Sequence, residues 1–147
     1  MRRPVMRIAV VDGQGGGIGK HITERLRREF GEKIEIIALG TNSAATSLML
    51  KAGANEGATG ENAIVHTVPD VDVIVGSLSI LVANSMLGEV TPKMVTAIGS
   101  SKAQKVLLPI GRNRVEVIGV QREPLPHYID RLIEHLKSFL EEGKQDV

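Results

Sequence analysis

Five of the seven residues from Gly13 to Gly19 are glycine, and they fall at a junction. Before them runs a short apolar stretch, Met6 to Val11; after them Ile18, Ile22, Leu26 and Phe30 recur at a spacing of four. Glycine has a chemical use where a strand turns into a helix. It makes positive φ inexpensive and keeps side chains from blocking the approach of a phosphate to backbone amides. The start of the helix adds N–H groups without intrahelical partners and about half a positive charge. The expected chemistry is binding of a phosphate-bearing ligand by main-chain donors. Candidate binding residues are Asp12, Gly13, Gln14, Gly15, Gly16, Gly17, Ile18 and Gly19, with Thr41, Asn42, Ser43 and Ser77 beyond the ends of later strands. Close packing of helix on strand explains some of the glycines, but five exceed what packing requires.

The neighbours refine that expectation. Asp12 is a carboxylate beside an anion site, so it must hold a cation or a proton, cap the turn's amides, or serve only as the Asp of an Asp-Gly turn. Dinucleotide folds place an acid near the end of the second strand, about 20 residues beyond the glycines, to bind a ribose. Here that position reads Thr41-Asn42-Ser43, which disfavours NAD and leaves hydroxyl and amide groups for a 2′-phosphate, as in NADP, with one of the three capping the next helix. Ser79 and Asn84 follow the central strand, and the tip Arg112-Asn113-Arg114 offers two guanidiniums. His21 is the histidine nearest the turn; His66, His127 and His135 are scattered, and none has metal-ligand spacing with another. Asp70 and Asp72 lie at the opposite edge of the sheet.

Spacing separates the known glycine turns. G-x-G-x-x-G fails because Ile18 stands at its last glycine, whereas G-x-x-x-G-x-G fits as Gly13, Gly17 and Gly19. Over the first strand, turn and helix the chain resembles the nucleotide turn of short-chain dehydrogenases. Asp12 replaces that family's usual threonine, and its Tyr-x-x-x-Lys is absent, since Tyr128 is followed by Leu132. Gly16-Gly17-Ile18-Gly19-Lys20 is similar to the phosphate loop of deviant Walker ATPases, but His21 replaces the Mg²⁺-binding hydroxyl and Gly15 the signature lysine. The whole chain resembles a family of short bacterial proteins of unknown function that open with the same glycine turn, which implies a shared turn and supplies no chemistry.

These residues need a scaffold, and the patterning provides one. Met6 to Val11, Ile34 to Leu39, Val71 to Gly76 and Val106 to Ile110 read as strands, and Asn55 to Thr59 as a brief edge strand that leaves the sheet order open. Helices are expected after the glycines, after Thr41-Asn42-Ser43, over Glu61 to Thr67, after the Thr91-Pro92 cap, and from Pro126 to a stop at Gly143. Val115 to Val120 reads as a last strand. Only four residues separate it from the strand before, too few for a parallel crossover, so it is expected as an antiparallel edge hairpin. The fold class is α/β: a three-layer Rossmann-like doubly wound sandwich, mostly parallel, forming one domain over residues 1–147.

Composition bounds the function. With 42% hydrophobic and 24% charged residues and a net charge of +1, the chain has the profile of a globular protein without the field that recruits nucleic acid. Aromatics at 2% exclude a base-stacking platform. Zero cysteines exclude thiolate chemistry and agree with a cytoplasmic setting. No apolar run reaches the roughly 20 residues of a membrane helix, and the basic N-terminus lacks a signal-peptide core. The sequence thus supports a nucleotide- or dinucleotide-binding module, a sensor or a subunit of a partner enzyme, with NADP or another nucleotide as ligand. Its alternatives are a small NADP-dependent oxidoreductase whose site is shared across a dimer, and a divergent phosphate-loop NTPase. Homo-oligomerisation is expected from the apolar stretch Leu78 to Leu87 and the broad stripe of the last helix.

Overall fold

The computed structural model describes residues 5–111 and 114–145, with side chains described as far as residue 141. Strand β1 (Met6–Asp12) lies in the middle of a five-stranded sheet with β2 (Ile34–Gly40), β3 (Glu56–Thr59), β4 (Val73–Ser77) and β5 (Gln104–Leu108). All pairings are parallel and the order is β3-β2-β1-β4-β5. This is the dinucleotide-fold order, and its reversal of winding between β1 and β4 opens a crevice at the carboxyl ends of those two strands. The Asn55 to Thr59 segment, ambiguous in sequence, is what settles the order by forming β3 beside β2.

The helices are α1 (Gly17–Phe30), α2 (Ser43–Ala52), α3 (Glu61–Thr67), α4 (Pro92–Ser100) and α5 (Leu125–Gln145). Because side chains alternate across a strand, each apolar run supplies two cores. Ile8, Val10, Ile36, Ala38, Val73 and Val75 pack beneath Ile22 and Leu26 of α1, Met49 of α2, and Ile129 and Leu132 of α5. Ala9, Val11, Ile37, Leu39 and Ile74 pack against Ile64 of α3 and Met94 and Ile98 of α4. Three layers result, as the patterning predicts. At the amino ends, the Arg7 amide donates to Asp72 Oδ2 at 2.8 Å and its guanidinium to Asp70 Oδ2 at 3.0 Å, so both aspartates belong to the edge opposite the glycines.

Two expectations are corrected. Residues 115–120 form no strand, and β5 remains the edge of the sheet among the described residues. Strand propensity reflects packing on a half-buried surface, and this segment lacks one: Val115, Val117, Ile118 and Val120 are all exposed. The chain beyond them is tied instead to α5, where Tyr128 Oη donates to the Gln121 carbonyl at 2.7 Å and accepts from the Glu123 amide at 3.2 Å. The last helix also runs through Gly143 to Gln145. A single glycine lowers helix propensity by about 1 kcal/mol, which does not by itself end a helix continuous with a buried stripe. That stripe is largely covered within the chain, since Tyr128, Ile129, Leu132, Ile133 and Leu136 are buried. Among the described residues no helix is long and apolar enough to cross a membrane.

Candidate functional site

The glycines divide by what surrounds each. Gly16 caps α1 with φ +76°, and a Cβ there would stand 2.8 Å from the Ala45 Cα of α2. A Cβ on Gly19 would meet Asp12 Cβ and Met49 Sδ, both at 2.8 Å, and one on Gly13 would collide with Thr41 Oγ1. These three are required by the fold itself. Gly15 and Gly17 differ: neither has positive φ, and a Cβ on either would meet nothing within 4 Å. Packing gives no reason for a glycine at those two positions.

Asp12 organises the turn. Its side chain is buried at the end of β1 and its Oδ2 accepts the Gly19 amide at 2.6 Å. Burial pushes its carboxyl above the ordinary range; hydrogen bonds from the Gly19 and Gly13 amides pull it down, and the negative charge of Glu89 pushes it up again. The turn closes through the Gly16 amide to the Gly13 carbonyl at 3.0 Å, and the Lys20 amide bonds the Gly16 carbonyl at 3.0 Å. The amides of Gly15, Gly17 and Ile18 are left with no acceptor among the described residues.

These three amides border a cleft of about 680 Å³ lined by Asp12, residues 13–18, Ser77, Ser79, residues 86–87 and Gly111. Ser77, at the end of β4, is 3% exposed, and its hydroxyl has no hydrogen-bond partner among the described residues. A second cavity of about 530 Å³ lies between β5, residues 119–123 and α5. The first lies at the glycine turn, at the carboxyl ends of β1 and β4, and is the candidate site.

The remaining sequence candidates are placed as follows. Thr41 and Asn42 flank the turn from the end of β2, but what they hold is Glu89, a residue that sequence reasoning missed. Its Oε1 accepts from the Gln14 amide at 2.8 Å, Thr41 Oγ1 at 2.6 Å and Asn42 Nδ2 at 2.9 Å. The Thr41 hydroxyl and the Gln14 and Asn42 donors hold its carboxyl below the ordinary range, against partial burial. Asn42 also caps α2, accepting the Ala45 amide at 2.9 Å, as its position predicts. Ser43 is exposed at the first residue of α2 and does not line the cleft. Ser79 lines it, while its carbonyl accepts from Ser85 Oγ at 2.6 Å; Asn84 is exposed at positive φ. His21 is exposed, 3.9 Å from Glu24, and His66, His127 and His135 are exposed elsewhere. Arg112 and Asn113 lie outside the described residues, and Arg114 is exposed. Among the described residues no cluster of three or more His, Cys, Asp or Glu is placed to hold a metal ion.

Residues 7–141 match the family described as a domain of unknown function (DUF3842). Comparison with the curated proteins finds no match.

Two predictions follow from the geometry. Gly16→Ala should destabilise the fold by about 2 kcal/mol, the sum of a positive φ and a backbone collision, while Gly15→Ala should stay within about 0.5 kcal/mol of wild type in urea unfolding. Asp12→Asn keeps an acceptor for the Gly19 amide and removes a buried charge. Because the folded state raises the Asp12 pKa, the wild type loses stability as pH rises out of the carboxylate range. The Asn variant should therefore gain stability relative to wild type as pH rises from acidic to neutral. Parallel stability-against-pH curves for the two proteins would contradict this account of Asp12.

Proposed function

We propose that this chain, which belongs to the DUF3842 family of unknown function, binds a nucleotide or dinucleotide in the cleft at the carboxyl ends of β1 and β4. The observation that carries the reading is the set of free amides at Gly15, Gly17 and Ile18, beside two glycines whose missing side chains leave open space. Main-chain donors at a helix start bind phosphate oxygens through direct hydrogen bonds and the helix dipole. Ser77 adds a hydroxyl that can reach a ribose or a phosphate at the same wall. An aliphatic ligand would leave all four donors unsatisfied, which costs about 1–3 kcal/mol for each buried one.

The role is binding, as a sensor or a subunit of a partner enzyme, with NADP or another nucleotide as ligand. The support is the set of free amides at the turn, beside which the Asp12 carboxylate is already bonded to the Gly19 amide. Self-association belongs to the same proposal. Within Leu78 to Leu87 it is Leu87 that is open, at 97% exposed, and residues 115–120 add Ile118, 92% exposed, with three exposed valines. Contiguous apolar surface of this kind marks interaction sites.

The reading is tested by thermal unfolding with NADP(H), NAD(H), FMN, coenzyme A, ATP and GTP, with and without Mg²⁺. A ligand at 100 times its Kd should stabilise the wild type by about 2.7 kcal/mol. Gly17→Asp should fold normally, because the position is open, and should lose the shift by placing a carboxylate among the free amides. A retained shift would place the ligand elsewhere; a shift with NADP(H) alone would favour the oxidoreductase reading, and a Mg²⁺-dependent shift with ATP or GTP the NTPase one. Static light scattering should give a multiple of the 15.8 kDa chain mass, and a mass of one chain would refute self-association.

A further inference from the structure

We infer that the cleft takes a mononucleotide-sized ligand and that Glu89 is the residue that excludes the second nucleoside of a dinucleotide. This rests on the nucleotide reading above and narrows it. In the β3-β2-β1-β4-β5 order a dinucleotide lies across the carboxyl ends of the strands, with one ribose at the end of β2 beside the first glycine of the turn. In this chain that place is filled. Glu89 Oε1 gathers the Gln14 amide, Thr41 Oγ1 and Asn42 Nδ2. Above Gly13, the space a Cβ would need is already taken by Thr41 Oγ1, Met86 Sδ and Glu89 Oε1.

The donors that a 2′-phosphate or a ribose would use at the end of β2 are thus already bound to a carboxylate of the chain itself. Hydrogen bonds to an ionised acceptor are the strong ones, so the carboxylate is hard to displace. A phosphate arriving at that point would also meet a like charge.

The segment that delivers Glu89 is built as a wall. The Asn84 amide bonds the Val90 carbonyl at 2.7 Å, the Val90 amide the Ser85 carbonyl at 3.2 Å, and the Gly88 amide the Asn84 carbonyl at 3.1 Å. Ser85 Oγ ties it to Ser79 at 2.6 Å. Asn84, Met86 and Leu87 all adopt positive φ, a conformation that non-glycine residues keep only where surrounding contacts impose it. Leu87 is 97% exposed, so burial of its side chain is not what imposes it; the loop's backbone bonds, from the Gly88 amide to the Asn84 and Ser85 carbonyls and from the Glu89 amide to the Met86 carbonyl, span it.

What remains open is the other half of the crevice. There the free amides of Gly15, Gly17 and Ile18 face a cleft that Ser77, a residue only 3% exposed, also lines. Its roughly 680 Å³ lies within the range of small-ligand sites. One phosphate at the amides and one nucleoside along Ser77 and Ser79 fit that half, and nothing extends toward β2.

The test is isothermal titration calorimetry of the full chain with AMP, FMN and nicotinamide mononucleotide against NAD, NADP and FAD. Wild type, Glu89→Ala and Thr41→Val are compared. On wild type at least one mononucleotide should bind tenfold or more tightly than the dinucleotide that contains it. Glu89→Ala should raise dinucleotide affinity and narrow that gap, and Thr41→Val should act in the same direction if the first variant does not fold. A dinucleotide that binds wild type as tightly as its mononucleotide overturns the inference and leaves the nucleotide reading standing. Dinucleotide affinity that falls in Glu89→Ala overturns it too, by making Glu89 a ribose acceptor. Silence from all six compounds on folded wild type overturns the nucleotide reading, and this inference with it.

Discussion

The contact between Asp12 and Gly19 is the one on which the site depends. The Asp12 carboxylate folds back beneath the first turn of α1 and takes the Gly19 amide at 2.6 Å, which is possible only because Gly19 presents no Cβ toward it. The bond joins the last residue of the central strand to the third residue of the helix that follows. With those two points held, the intervening residues have little freedom except to bulge outward, and Gly16 takes φ +76° to complete the turn. The free amides face the crevice as a consequence of how the turn is anchored, and the sheet order places that crevice where two crossovers part in opposite directions.

Charge is distributed with the same economy. A glycine-rich helix start attracts anions, yet two carboxylates stand beside it. Both have drawn main-chain donors out of the set: Asp12 the Gly19 and Gly13 amides and Glu89 the Gln14 amide. They differ in environment and so in the direction in which each pKa is moved. Asp12 is buried and its pKa is driven up by burial, whereas Glu89 is partly exposed and its pKa is driven down by three donors on one oxygen. The charge nearest the end of β2 is therefore the better stabilised of the two. The amides left without an acceptor among the described residues are those of Gly15, Gly17 and Ile18.

Much of this was legible before any coordinates. Apolar runs such as Ile8 to Val11 announce strands buried on both faces, and the spacing of Ile22, Leu26 and Phe30 announces the face that α1 buries. Thr91-Pro92 marks the start of α4, where Thr91 Oγ1 accepts the Met94 amide as a cap should. Residues 115–120 misled for a physical reason: alternation of β-branched residues states a preference for a sheet surface, and only tertiary structure decides whether one is available. Glu89 left no local signal at all. It lies between Gly88 and the Thr91 cap, and it reaches the site only because a compact loop brings position 89 to position 14.

The glycine turn shows why a motif of this kind is more legible as a location than as a chemistry. Gly13, Gly17 and Gly19 satisfy G-x-x-x-G-x-G, but two of those three answer to packing within the chain, against Thr41 and against Asp12 and Met49. Only Gly17 among the matched positions is open, and the other open glycine, Gly15, lies at a position the pattern leaves unspecified. A pattern match therefore reports mainly that a strand and a helix approach closely, which many ligand chemistries share. What separates those chemistries is which amides stay free and what closes the neighbouring space. In this chain the second of these is Glu89, seventy residues beyond Gly19.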